Sequence, residues 1–151
     1  MKLLSILIIF ISVTAYAGED CVFDETAYTK FITKYNSENS NSNIEPDGRT
    51  LLVNRDGEKI IVKGGGCDHL GVAIELKTKR AFTEEQFLQK TLGLAVEFGN
   101  WLINAEALKY SIKKRKYKII NGTYYINIDA LTVFSASYDD QGNINIDFYI
   151  N

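Results

Sequence analysis

The chain has 151 residues, with 17 Lys and Arg against 19 Asp and Glu, a formal net charge of −2, two Cys and a single His. This balance excludes the strongly basic field of a nucleic-acid binder, and so few soft ligands exclude a dedicated multi-ligand metal centre.

The first residues, "MKLLSILIIFISVTAYA", place Lys2 before an apolar run from Leu3 to Val13, with Ala15 and Ala17 at A-x-A spacing. That is the pattern of a secretory signal peptide over residues 1–17, because the run is shorter than the roughly 18 apolar residues a membrane-spanning helix needs. The expected product is one domain over residues 18–151, about 134 residues and enough for a single core, periplasmic or secreted, with no membrane anchor after cleavage. Cys21 follows "GED", which does not suit lipidation. Two cysteines in an exported chain read as one disulfide, Cys21 to Cys67, closing a loop of about 46 residues worth roughly 4 kcal/mol.

From Asp24 to Tyr35, Ala27, Tyr28, Phe31, Ile32 and Tyr35 recur at helical spacing, with acids first and Lys34 near the end, so a short amphipathic helix is expected. The polar run "NSENSNSNIEPDG" contains the sole proline, Pro46, and reads as an exposed, mobile loop. Next come apolar runs at 50–54 and 58–63 around Asp56 and Gly57, a hairpin signal, and then a mostly apolar third strand at 70–77. Thr83 with Gln86 forms a capping-box pattern, and Phe87, Leu88, Thr91, Leu94, Ala95, Phe98, Trp101 and Leu102 make a core stripe that Gly99 and Asn100 interrupt before a second helical segment. In the last third, Asn121-Gly122 and the residues from Asp139 to Gly142 mark turns, and Ile144, Ile146, Phe148 and Ile150 alternate with polar positions. The expected fold is α+β: a single domain with an antiparallel β-sheet of six to seven strands in two meanders, two to three helices packed on one side, and one disulfide.

The stretch "KGGGCDHLGVAIEL" places three glycines beside Cys67, Asp68 and His69. A phosphate loop requires a helix after the glycines, whereas "LGVAIELK" is strand-like and no Lys followed by Ser or Thr is present. Cys67, Asp68 and His69 are too few for a metal site, and a disulfide at Cys67 removes it as ligand or nucleophile, so no metal and no cofactor are expected. No "GxSxG" elbow occurs. Among the carboxylates, Glu84 and Glu85 suit a helix first turn and Asp139 and Asp140 a turn, which leaves Glu97 without an explanation.

Two surfaces stand out. Lys109, Lys113, Lys114, Arg115, Lys116 and Lys118 cluster in an acidic chain; cations at a helix C-terminus are the first explanation, and the alternative is a docking patch for an acidic protein surface or for anionic envelope polymers. Tyr125 and Tyr149 fall out of phase with the apolar sets around them, and so should lie on the wet face of the sheet, as ordinary strand formers or as contact residues. Asp68 and His69, beside a disulfide-pinned loop, are further contact candidates.

The function these features favour is a small exported, non-enzymatic binding protein, an inhibitor or immunity-type protein with a protein partner such as a secreted toxin or a cell-envelope hydrolase. The outline, helix then meander twice over, is similar to that of some secreted enzyme inhibitors. The alternatives are a structural or accessory envelope protein, and a cell-envelope hydrolase using Glu97 or His69. Intact protein should take up alkylating reagent at two thiols only after reduction, read by mass; two free thiols in freshly isolated protein would return Cys67 to the candidates for chemistry.

Overall fold

A computed structural model describes residues 25–65 and 70–150. The leader at 1–17 and the expected Cys21–Cys67 bridge, with Asp68 and His69, lie outside the described residues.

Helix α1 spans Glu25–Glu38, three residues beyond the expected end at Tyr35. Its Tyr28 and Ile32 are buried, and Phe31 and Tyr35 pack against the core edge. The polar run after it is not a mobile loop. Ser42–Ile44 forms strand β1, paired antiparallel with β2 (Thr50–Arg55) in the register Ser42↔Val53 to Ile44↔Leu51. The connection is a tight turn: Pro46 follows Glu45, whose C=O accepts from Gly48 N–H at 3.0 Å, and the Asp47 carboxylate accepts from the Arg49 and Thr50 amides and the Thr50 hydroxyl. Those charge-assisted bonds hold the Asp47 pKa below the usual carboxylate value.

Strands β2 and β3 (Glu58–Gly65) close through Asp56 and Gly57, both at positive φ, the mirror-image turn that matches strand twist. β4 covers Leu70–Lys77. Helix α2 (Glu84–Gly99) starts at Thr83 with both halves of the capping box formed, and helix α3 (Ala105–Lys113) restarts the chain with Asn104 as N-cap. The break between them follows Gly99, where a Cβ would sit 2.3 Å from the Phe148 ring, so a side chain there would push α2 off the sheet. Four strands complete the chain: β5 (Tyr117–Ile120), β6 (Thr123–Asn127), β7 (Thr132–Tyr138) and β8 (Ile144–Ile150).

The eight strands form one antiparallel sheet in the order β1-β2-β3-β4-β8-β7-β6-β5. Eight strands replace the expected six to seven because β1 is specified by its partner and its turn, not by apolar residues of its own. The two meanders are expected units, but they fuse edge to edge where β4 pairs with β8.

Alternation assigns the faces. Leu51, Val53, Ile60, Val62, Val72, Ile74, Leu76, Ile144, Ile146, Phe148, Phe134 and Ile126 point to one side and are buried in a common core with Phe87, Leu94, Phe98 and Leu108 of the helices. All three helices cover this face, as the α+β reading expects. The other face carries Lys59, Lys63, Tyr125, Asn145 and Asp147 in solvent. One acid enters the covered side: Glu58 is buried, and Lys90 of α2 donates to it at 2.6 Å.

Gly64 shows how tightly α1 is seated. The Tyr28 ring lies directly over it, so that a Cβ there would be within Van der Waals overlap of the ring, and the Tyr28 hydroxyl donates to Arg49 C=O at 2.8 Å and Val62 C=O at 3.1 Å. Burial pushes the Tyr28 pKa up. Gly64→Ala should cost about 1–3 kcal/mol and lower the melting temperature by several degrees. Gly65→Ala, where a Cβ meets open space, should leave it unchanged; equal melting of both variants in thermal denaturation would show that the ring is not seated there.

Candidate functional site

The cationic cluster begins at the end of α3. Lys114 is the C-cap and Arg115 follows at φ 52, in the left-handed region. Arg115 N–H donates to Ile112 C=O at 3.0 Å and Lys116 N–H to Ser111 C=O at 2.8 Å, the paired bonds of a Schellman helix stop. Glycine is the usual residue at this position, since a side chain there crowds its own backbone. The chain then enters β5 at Tyr117, which forces Arg115, Lys116 and Lys118 into the space at the end of the sheet.

There they meet the tyrosines. A groove of about 930 Å³ runs between the end of α3 and the point where β6 stops and β7 starts; Tyr110, Arg115, Lys116, Tyr117, Lys118 and Tyr125 are among its walls. Its apolar floor includes Ile126 and Phe134. Lys116 Nζ lies 4.7 Å from the centre of the Tyr110 ring, a cation–π pair on a ring that is half exposed. The Ser111 hydroxyl donates to Asn127 C=O at 2.6 Å and so ties α3 to β6 and keeps the groove's two walls together. Asp129, also in the wall, is occupied locally: it accepts from the Leu131 and Thr132 amides and the Thr132 hydroxyl, and these bonds lower its pKa. Asp129 is therefore ionised, and the groove carries three cations, Arg115, Lys116 and Lys118, against this one acid.

A second groove, of about 760 Å³, lies on the other side of the Arg115 and Tyr117 ridge, between the start of α2 and the end of α3. Here Lys109 and Lys113 face Glu84 and Glu85, and the Tyr117 hydroxyl donates to Glu84 Oε1 at 3.0 Å. Partial burial, then this bond, raises the Tyr117 pKa. With Arg115 at its rim this groove holds three cations against two acids, a smaller excess than in the first.

Of the candidates read from sequence, Arg115, Lys116 and Tyr125 come together. Lys113 lines the neighbouring groove and Lys114 serves as the cap. Tyr149 lies on the same uncovered face as Tyr125 but two strands away, opposite Val133 and Gly71. Near it, Asp147 stands on β8 between Ala73 and Ser135, where partial burial of its carboxyl raises its pKa. Tyr110 and Tyr117 escaped the sequence reading because neither sits in the C-terminal alternating pattern; their signal was their place among the lysines, directly after Lys109 and between Lys116 and Lys118.

Glu97 acquires a structural role. Arg55 of β2 forms a two-point clamp on it, with both bonds at 2.6 Å, and the Tyr35 hydroxyl of α1 donates to Oε1 at 2.7 Å. The triad joins α1, β2 and α2. Burial, then the bond to Glu97, pushes the Tyr35 pKa up to about 12. Among the described residues, no three His, Cys, Asp or Glu side chains gather as metal ligands, and no helix is long and apolar enough to cross a membrane.

Replacing Glu97 by Gln removes the charge that Arg55 and Tyr35 address. Because the pair is only partly buried, the loss should be about 1–3 kcal/mol, seen as a lower melting temperature. An unchanged melting temperature would return Glu97 to the candidates for chemistry.

Comparison with protein-family models, curated proteins and solved structures finds no match to this chain.

Proposed function

We propose that this chain is a small exported, non-enzymatic binding protein, an inhibitor or immunity-type protein that occupies a secreted toxin or a cell-envelope hydrolase. The observation that carries the reading is the groove at the β5 end of the sheet, where Arg115 in strained backbone, the Lys116–Tyr110 stack and Tyr125 converge, with three cations against the single acid Asp129. Exposed Arg and Tyr side chains around an apolar floor are the composition of protein-recognition hot spots. Strain at an exposed residue that makes no side-chain hydrogen bond or ion pair among the described residues supports a role outside the fold.

Export is supported by the leader pattern at 1–17, and a Cys21–Cys67 disulfide is what an oxidising compartment would then favour. The acid that stood out for hydrolysis, Glu97, is engaged by Arg55 and Tyr35, which favours binding over catalysis. The partner surface this groove suits is acidic, with protruding apolar groups for the floor.

Arg115→Gly separates folding from function. Relief of the left-handed strain should stabilise the protein by about 1 kcal/mol, a rise of about 3 °C in melting temperature, while binding falls. Immobilised wild-type mature protein should retain one stoichiometric envelope partner, and the variant should retain about tenfold less, as expected for a hot-spot residue. Capture of no partner at any salt concentration, or equal capture by both proteins, would overturn the reading.

A further inference from the structure

The two ends of the sheet are unlike. At one end, β1 is polar, and its first residue is tied to α1: Ser42 donates to Asn36 Oδ1 at 3.0 Å and to Asn39 C=O at 2.7 Å. At the other, β5 pairs with β6 alone. It carries two aliphatic side chains, Ile119 and Ile120, each 54% exposed, on opposite faces of the sheet.

The register shows which backbone groups are vacant. Asn121 and Gly122, at φ 50 and 79, form a two-residue turn, so Ile120 and Thr123 close it as a hydrogen-bonded pair. Asn127 N–H donates to Lys116 C=O at 3.3 Å, in the same phase. Lys116, Lys118 and Ile120 therefore turn their amides and carbonyls toward β6, and Tyr117 and Ile119 turn theirs outward. The outward groups lie beside Arg115, Lys116 and Lys118.

We propose that β5 is a template for strand addition, and that it takes an extended, acidic segment of the partner protein with aliphatic residues at alternate positions. This rests on the binding reading above and names how the partner enters. Tyr117 and Ile119 supply the outward backbone bonds, Lys116 and Lys118 on the uncovered face select the carboxylates together with Arg115, and Ile119 on the helical face meets the aliphatic positions. A second copy of the chain is the disfavoured occupant, because β5 laid on β5 brings Arg115, Lys116 and Lys118 of both copies within reach of one another, like charge against like.

The test uses full-length mature protein and a fluorescent peptide of alternating Glu and Val. It should bind about tenfold or more tighter than the same peptide with Lys for Glu. Two further versions carry N-methyl groups on alternate amides. Only every second amide of an added strand faces β5, so one version should lose about tenfold in affinity and the other much less. Equal affinity of both methylated peptides and the parent, or tight binding of the Lys peptide, would overturn strand addition; so would a concentration-dependent dimer in sedimentation that Ile119→Pro abolishes. Ile119→Pro removes an outward N–H that no neighbour uses among the described residues and should reduce binding of the Glu peptide with the circular dichroism unchanged. Partner capture by wild type and Ile119→Pro alike would overturn strand addition and leave the binding reading standing. Discrimination among the peptides with no captured partner would remove the binding reading and leave β5 as a strand template.

Discussion

The fold depends on one seam. β4 and β8 pair from Leu70↔Ile150 to Leu76↔Ile144, and this contact alone joins two meanders into a continuous sheet. Along it Val72, Ile74 and Leu76 stand beside Phe148, Ile146 and Ile144 on the covered face, all buried. Side chains of this kind contribute about 1.5–3 kcal/mol each on burial. α2 lies over the seam, and the absence of a side chain at Gly99 lets Phe148 fill the space beneath the helix end. Because the paired segments are more than sixty residues apart in sequence, the closure entropy of the whole intervening chain is met only when this seam forms.

One-sided cover follows from the seam and from where the helices end. α1 seats on β3 through Tyr28 over Gly64, α2 on the centre, and α3 on β6. α3 stops at Lys113, short of the last strand, so beyond Tyr117, which packs against the core and reaches Glu84 of α2, the residues of β5 are exposed on both faces. Ile119 points to the helical side and is nonetheless exposed. The cationic end of α3 and the bare edge strand are thus consequences of the same helix length: the Schellman stop that turns the chain into β5 also sets Arg115 and Lys116 at its root.

Much of this was legible in the sequence, for local reasons. Asp56-Gly57 and Asn121-Gly122 announce hairpins by turn chemistry, Thr83 and Gln86 announce a helix start, and the alternation at 144–150 announces a half-buried strand. β1 was not legible, since "SNI" has no apolar pattern; its pairing is imposed by Pro46 and Asp47, which fold the segment back on β2. The β4–β8 seam was not legible either, because both strands are apolar enough to pair with several neighbours and only packing of the whole sheet selects this one. At the site, the lysine cluster and Tyr125 could be read separately. Their convergence could not, because it depends on a left-handed arginine, and Arg carries none of the turn preference that Gly or Asn would signal.

Three features at this end of the molecule each lower the stability of the isolated chain. Arg115 holds a backbone conformation that costs an L-residue about 1–2 kcal/mol. Arg115, Lys116 and Lys118 repel one another beyond the reach of the α3 dipole, which favours positive charge only within its last turn. Ile119 and Ile120 leave apolar surface and an open strand edge in water. A fold under no other demand would relieve each by an ordinary substitution: glycine for Arg115, an acid among the lysines, a polar residue for either isoleucine. An acidic strand added to β5 acts on the last two together, pairing the charges on the uncovered face, covering Ile119 on the helical face and closing the open edge, and it uses the side-chain direction that the first one sets. The co-location of the three at one edge, with the opposite edge polar and tied to α1, is what supports the proposal that β5 and the adjoining groove receive a partner.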